Sequence, residues 1–185
     1  MLFMVLCFLD NHRKIKTRGI IFAMEKKRYA QLRQLARTGV TAALYVALCY
    51  VFAPISYGPI QFRIAEILVV LPFYDRKYCA PLILGTFAAN IFMYGPADMI
   101  FGTLATALVC LVIILAKNKV VIAPAAAAIN GVIIGLMLFF VFGEPGPLWF
   151  IAATVAIGEF AVVLVGVLVF SGLEKNRKFI GFLKY

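Results

Sequence analysis

The sequence predicts an all-α membrane protein, a bundle of six transmembrane helices with both termini in the cytoplasm. Of its 185 residues, 64% are apolar and 14% are charged, whereas soluble domains are about half apolar and a quarter charged. Six apolar runs alternate with short segments rich in Gly, Pro and charged residues. Basic residues gather in every second one of these segments. These observations argue against a water-soluble globule and against an additional soluble domain.

The apolar runs define the six predicted helices. They cover residues 38–55, 60–74, 79–94, 97–116, 120–142 and 148–173. The second and third runs have only 15 and 16 residues, so at about 1.5 Å per residue neither comfortably crosses a hydrocarbon core of roughly 30 Å. Short membrane segments usually line something, so we expect a functional site beside these two.

The basic residues set the predicted orientation. Nine of the 18 precede the first helix, and the others follow helices two, four and six, with Arg63 as the exception. The intervening segments contain Asp98 and Glu144 but no Lys or Arg. This distribution fits the positive-inside rule for six helices. The net charge of +10 therefore indicates membrane orientation rather than nucleic-acid binding.

Three regions follow from this layout. Residues 1–33 form a basic cytoplasmic N-terminal segment, residues 34–173 the six-helix membrane domain, and residues 174–185 a basic cytoplasmic tail. The first nine residues are apolar but too short to span, and their positive charges follow instead of preceding them, which is atypical of a signal peptide. We expect part of the N-terminal segment to be dispensable, with Met24 as an alternative start.

The common patterns of enzyme and metal sites are missing from the sequence. Its four cysteines have no Cys-x-x-Cys spacing, and its one histidine is His12 in the N-terminal segment. No Gly-x-x-x-x-Gly-Lys-Ser/Thr loop is present to hold nucleotide phosphates. We therefore expect no metal, no cofactor and no ATPase activity in this chain. A small intramembrane enzyme using Glu66 or Glu159 is the weaker alternative.

Ionisable residues inside the apolar runs are the first candidate site residues. A charge at the bilayer centre costs on the order of 3 kcal/mol on insertion scales, so each needs a partner or a function. Arg63 and Glu66 are three residues apart, which puts them on one helix face and within reach of each other. They form either a self-neutralising structural pair or part of a polar cavity reached from outside, with Gln61 adding an amide.

Glu159 is a sharper candidate, since it lies near the middle of a 26-residue apolar run with no base within four positions. A protonated structural glutamate is one interpretation, and a carboxylate that binds a cationic or donor-rich ligand is the favoured one. Asn90 and Asn130 lie deep in helices three and five, where an amide either binds ligand or joins two helices.

Small residues recur at four-residue spacing on two helices. Gly39, Ala43 and Ala47 lie on helix one, and Ala127, Gly131 and Gly135 lie on helix five. Such spacing permits close contact between helices. From spacing alone, internal packing is favoured over a docking face for a partner.

One segment carries a family resemblance. The run Ser-Tyr-Gly-Pro-Ile-Gln-Phe-Arg-Ile-Ala-Glu at residues 56–66, continuing to Leu-Pro-Phe at residues 71–73, resembles the signature of the QueT family. The likeness extends over roughly residues 33–173 and includes Gly158 and Glu159. Position 65 is Ala where many relatives have Ser, so no hydroxyl contact is expected there.

The resemblance implies an S component, the substrate-binding subunit of an energy-coupling factor importer for queuosine precursors in the bacterial cytoplasmic membrane. Such a subunit captures its ligand from outside and docks on a transmembrane coupling protein driven by two ATPase subunits. The implied substrate is 7-aminomethyl-7-deazaguanine, with another vitamin-like nucleobase or a pterin as the alternative.

The resemblance also assigns roles to residues. The expected substrate-binding residues are Glu159, Glu66, Arg63, Gln61, Asn90, Asn130 and Phe62. The expected docking residues are Gly39, Ala43 and Ala47. Two carboxylates would take the ammonium group and the guanine-type edge of the substrate, and the sequence leaves open which takes which.

Overall fold

A computed structural model describes residues 2–56, 61–93 and 95–183 of the chain. These residues form helices joined by short turns, which confirms the predicted all-α class. Two 3₁₀ helices, η1 (Ile64–Val70) and η2 (Arg76–Tyr78), flank the short helix α3. The α-helices are α1 (Leu2–Val51), α2 (Ala53–Ser56), α3 (Leu71–Tyr74), α4 (Cys79–Met93), α5 (Pro96–Ala116), α6 (Lys119–Phe140), α7 (Leu148–Leu173) and α8 (Arg177–Leu183).

Helices α5, α6 and α7 have the length of membrane spans. Among the described residues, these three are long and apolar enough to cross a membrane, with 21, 22 and 26 residues. Their bounds lie within two residues of the predicted ones, because the interrupting residues end helices locally. Lys117 ends α5 in a left-handed conformation, and the Asn118 side chain accepts a hydrogen bond from the Val120 backbone N–H at the start of α6.

The second predicted helix has a different structure. In place of one helix over residues 60–74, the chain forms a seven-residue 3₁₀ helix and then one α-helical turn. At rises of about 2.0 and 1.5 Å per residue, η1 and α3 together extend for roughly 20 Å, less than the hydrocarbon core. The segment is thus shorter than a full-length span, as its residue count predicts.

Helix α1 begins well before the predicted first span. It starts at Leu2 and ends at Val51, and one further turn, α2, reaches Ser56. Residues 24–37 are polar but rich in Lys, Arg, Gln, Leu and Ala, which favour helix. A search for apolar runs misses this part of the helix, because residues 24–37 favour helix although they are polar.

The chain divides into two compact units, residues 1–37 and residues 38–185. The first unit is helical from residue 2, and its side chains are exposed from residue 24 to residue 36. The second unit contains η1 and the packed helices α4 to α7. The predicted regions 1–33, 34–173 and 174–185 stay predictions about topology and dispensability.

Close backbone contacts hold the second unit together. A Cβ atom on Gly135 would lie 2.8 Å from the Ala152 Cα, and one on Gly131 would lie 2.9 Å from the Ala156 Cβ. Helices α6 and α7 therefore touch where both have their smallest residues. A Cβ on Gly166 would lie 2.9 Å from the Ile67 carbonyl oxygen, so η1 rests directly on α7.

Candidate functional site

Glu66 and Tyr45 form the first part of a buried polar cluster. Glu66 lies in the first turn of η1, and Tyr45 lies on α1; each is only 3% exposed. The Tyr45 hydroxyl donates a 2.5 Å hydrogen bond to Glu66 Oε1. Glu66 Oε2 is buried and has no hydrogen-bond partner among the described residues. The carboxylate is therefore held at one oxygen and open at the other.

Arg63 and Asp98 form the second part. Arg63 is the residue that precedes η1, and Asp98 lies in the first turn of α5. Arg63 Nη2 is 3.6 Å from Asp98 Oδ1. Asn90, near the end of α4, donates from Nδ2 to the Asp98 backbone oxygen at 2.8 Å. A Cβ on Gly102 would lie 2.5 Å from that Nδ2, so the glycine leaves room for the amide.

Glu159 and Asn130 form the third part, deeper in the bundle. Glu159 is 1% exposed on α7, and its Oε1 accepts a 3.3 Å hydrogen bond from Asn130 Nδ2 on α6. The same Nδ2 donates to the Ala126 carbonyl oxygen at 3.1 Å. The charges of Glu66 and Arg63 both act on the Glu159 carboxyl group. Glu159 is thus linked electrostatically to Glu66 and Arg63, and Arg63 is in turn paired with Asp98.

The predicted site residues Gln61 and Phe62 lie beside this cluster in sequence and are half-buried. Gln61 Oε1 is buried without a hydrogen-bond partner among the described residues. The Phe62 backbone oxygen accepts a hydrogen bond from the Ser56 hydroxyl at 3.2 Å. Residues 57–60, the first part of the signature run after Ser56, lie outside the described residues.

The space beside the cluster is small where the structure describes its lining. A cavity of about 20 Å³ lies between α1, η1 and α4, lined by Tyr45, Cys49, Arg63 and Asn90 among others. That volume accommodates about one water-sized group, whereas sites for small molecules are typically several hundred Å³. The polar cavity expected from the sequence stays a prediction; in the described part of the chain, Tyr45 and Asp98 contact the groups that would face it.

Larger clefts lie elsewhere. One of about 790 Å³ is lined by the α3 residues Phe73 and Tyr74 together with Arg76 and Lys117. A second, of about 470 Å³, lies beside Glu174 and Arg177. Both are at the helix ends that the basic residues predict to be cytoplasmic. They contain none of the predicted substrate-binding residues.

The predicted docking residues lie apart from the polar cluster. Gly39, Ala43 and Ala47 are all exposed on α1, and a Cβ on Gly39 would have no atom within 4 Å. Their apolar neighbours Val40 and Leu44 are exposed as well. These three residues are therefore exposed and not packed inside the bundle, although the spacing alone favours internal packing.

Two members of the cluster escape sequence reasoning, namely Tyr45 and Asp98. Tyr45 is one of eight tyrosines in a chain rich in aromatic residues, and its spacing carries no sign of a carboxylate partner. From the sequence, Asp98 is expected to be a charged residue in an outer loop. Its position just after the Gly-Pro pair at the start of α5 is also compatible with a carboxylate in the first turn of that helix. Among the described residues, no group of three or more His, Cys, Asp or Glu side chains has the arrangement of a metal site.

Comparison with known proteins identifies a family for this chain. A family model described as QueT transporter matches residues 35–175. The queuosine precursor transporter QueT of Lactococcus lactis subsp. cremoris (strain MG1363) is 39% identical over 69 residues, which are 36% of this chain and 41% of that relative. The chain thus aligns with about two fifths of the relative's length. No solved structure matches the chain significantly.

Proposed function

Because the chain belongs to the QueT transporter family, we propose that it is the substrate-binding S component of an energy-coupling factor importer, and that it binds 7-aminomethyl-7-deazaguanine. The relative from Lactococcus lactis is named a queuosine precursor transporter, and this substrate is such a precursor. The observation that carries the proposal is the presence of three buried carboxyls, those of Glu66, Asp98 and Glu159, and of a guanidinium 3.6 Å from one of them, inside an apolar bundle.

The proposed substrate carries a positive charge and hydrogen-bond donors that complement these buried carboxyl groups. Ionised side chains in a bilayer are costly unless they are paired. The carboxyls of Glu66, Asp98 and Glu159 outnumber the guanidinium of Arg63, so a ligand with one positive charge and several N–H donors complements them. The Asn90 and Asn130 amides and the Phe62 ring are the proposed contacts for the carbonyl and the ring face.

Family membership identifies a transporter, not an enzyme, so the intramembrane enzyme is no longer a competing interpretation. A different vitamin-like nucleobase or a pterin is the second candidate substrate. Both share a flat ring with a donor-rich edge, but neither needs an ammonium group. The open Glu66 oxygen and the excess of carboxyls favour the cationic ligand.

In the proposed topology the chain crosses the bacterial cytoplasmic membrane six times, with both termini in the cytoplasm. Helices α5 to α7 are the full-length spans. The second half of α1, the η1 and α3 segment, and α4 are the other three. The alternating basic segments at residues 75–78, 117–119 and 174–178 support this orientation.

Partner docking is proposed at the exposed small residues of α1. The small side chains at these positions, Gly39, Ala43 and Ala47, allow the backbone of another helix to approach α1 closely. The proposed partners are the transmembrane coupling protein and, through it, two ATPase subunits. A separate ATP source is needed because the sequence contains no phosphate-binding loop of the Walker type.

Ligand binding by the purified full chain tests the proposal. We expect 7-aminomethyl-7-deazaguanine to raise the melting temperature more than guanine, a pterin or an unrelated vitamin does, since a ligand that binds only the folded state stabilises it. Glu159→Gln should weaken binding at least tenfold, which corresponds to about 1.4 kcal/mol. Glu144→Gln, at an exposed loop position, is the matched control and should bind normally. A higher rank for pterin, or unchanged affinity of Glu159→Gln, would contradict the proposal.

A further inference from the structure

We infer that the substrate binds in one orientation, with its ammonium group at Glu66 and its guanine-type edge at Glu159 and Asn130, and that Tyr45 and Asp98 determine this choice. The inference rests on the proposed function. It assigns the two carboxylates to the two ends of the ligand, and it adds two residues that neither the motif nor the family comparison indicates.

Glu66 has one oxygen that already accepts a hydrogen bond and one that has no partner among the described residues. Tyr45 donates to Oε1 at 2.5 Å, whereas the buried Oε2 has no hydrogen-bond partner among the described residues. The guanine-type edge presents two adjacent N–H donors and therefore needs both oxygens of a carboxylate. An ammonium group is satisfied by one strong acceptor together with weaker ones. While Tyr45 occupies Oε1, Glu66 thus suits the ammonium end.

Local charge supports the same choice. Arg63 is 3.6 Å from Asp98, and its charge also acts on Glu66. The guanidinium therefore faces two carboxyls, and the group has one more acid than base. Without Asp98, Arg63 would offset Glu66 and repel an ammonium group. Asp98 acts as a positioning residue, because it draws the positive charge of Arg63 toward itself.

Glu159 and Asn130 offer the complementary pattern. The Glu159 carboxylate can accept from two adjacent N–H donors, and the Asn130 amide beside it can donate to the ring carbonyl. Their mutual hydrogen bond is long, at 3.3 Å, so exchanging it for ligand contacts costs little. This pair joins α6 to α7, and both of its side chains are buried.

Tyr45 is held in place by its own helix contact. A Cβ on Gly85 would lie 2.9 Å from the Tyr45 Cβ and 3.2 Å from the Ala42 backbone oxygen, so α1 and α4 are nearly in contact there. The tyrosine backbone is therefore fixed, and its hydroxyl reaches Glu66 from a constant position. Tyr45 is a positioning residue for Glu66, and its effect should fall on the ammonium end alone.

A matrix of three ligands and three variants tests the orientation. The ligands are 7-aminomethyl-7-deazaguanine, its 7-methyl analogue without the ammonium group, and its analogue without the 2-amino group. The variants are Glu66→Gln, Glu159→Gln and Tyr45→Phe in the full chain, and calorimetry or thermal shift gives each affinity. A residue that contacts one ligand group loses its effect when that group is removed.

The expected pattern is specific to each end. Glu66→Gln should weaken binding of the aminomethyl ligand about tenfold or more and binding of the methyl analogue by no more than about twofold. Glu159→Gln should weaken both by about tenfold but have a smaller effect on the ligand without the 2-amino group. Tyr45→Phe should cost about three- to fivefold with the aminomethyl ligand only, a selectivity change that a purely structural role does not produce.

The outcomes separate this inference from the proposed function. If the wild-type chain binds none of the three ligands, the proposed function fails. If it binds them but Glu159→Gln is the ammonium-dependent variant, or if every variant affects all ligands equally, the orientation is wrong and the function stands. Melting temperatures verify folding, and Glu159→Asp, which shortens the carboxylate side chain, replaces Glu159→Gln if that variant does not fold, with the same expected dependence on the 2-amino group.

Discussion

The small residues of α1 and those of α6 have the same four-residue spacing, yet they lie in opposite environments. Gly39, Ala43 and Ala47 are exposed, whereas Gly131 and Gly135 lie against the backbone of α7. Equal spacing therefore predicts a surface that another helix can approach, but not whether the chain supplies that helix itself. On α6 the partner is α7; on α1 the partner we propose is another protein.

The largest expected effect is on the α6 side. Gly135→Ala would place a Cβ 2.8 Å from the Ala152 Cα, a backbone neighbour that cannot rotate away. We expect the free energy of unfolding to fall by about 1–3 kcal/mol, as for other overpacked contacts. The melting temperature of the purified chain measures it. An unchanged value would mean that α6 and α7 are not in contact at Gly135.

The second prediction concerns the α1 side. Ala47→Leu should reduce substrate uptake about tenfold in cells that contain the coupling protein and ATPases, because the bulky side chain keeps the partner helix at a distance. Ligand affinity should change by less than about twofold, since Ala47 is exposed outside the polar cluster. The same substitution at the exposed Ala128 of α6 is the control. Loss of ligand binding in Ala47→Leu would instead assign the residue to the packing of the bundle.

A rescue experiment sharpens the contact between α6 and α7. Combining Gly135→Ala with Ala152→Gly removes the Ala152 Cβ at 2.9 Å but leaves the Cα at 2.8 Å, so it should recover only part of the loss, about 0.5–1 kcal/mol. Ala152→Gly alone should cost about 0.5–1 kcal/mol through helix propensity. Additive effects of the two substitutions would show that they do not meet.

The smallest expected effect is that of Gly39→Ala. A Cβ at this position has no neighbour within 4 Å, and alanine favours helix over glycine. We expect stability to change by less than about 0.5 kcal/mol, or to rise slightly, in the same melting assay. A loss as large as that of Gly135→Ala would remove the distinction between the two helices.

Much of the fold follows from local sequence signals. Pro96, the Lys-Asn-Lys run at residues 117–119 and Pro147 interrupt apolar sequence, and the bounds of α5, α6 and α7 follow from these interruptions. The 3₁₀ winding of residues 64–70 is not visible in the same way. Its cause is tertiary, since the backbone at Ile67 is held against Gly166 of α7.

About half of the candidate site could be predicted from the sequence. Glu66, Asn90, Asn130 and Glu159 are conspicuous as polar residues in apolar runs, and all four are buried. The residues that complete the cluster by hydrogen bonds and ion pairs could not be predicted from their positions in the sequence. Tyr45 is 21 residues from Glu66, and Asp98 is 35 residues from Arg63, so only the packing of α1, η1 and α5 brings them together.

The 3₁₀ geometry of η1 also determines the length of the signature segment along the helix axis. Rewinding its seven residues as α-helix would shorten it by about 3.5 Å, because the rise per residue falls from about 2.0 to about 1.5 Å. With Ile67 fixed on Gly166, Ile64 would move about 1.5 Å toward that anchor, and Glu66, one residue away, only about 0.5 Å. The contact with α7 therefore holds Glu66 close to its position beside Tyr45 even if the helix type changes, and the larger displacement falls on the residues that precede η1.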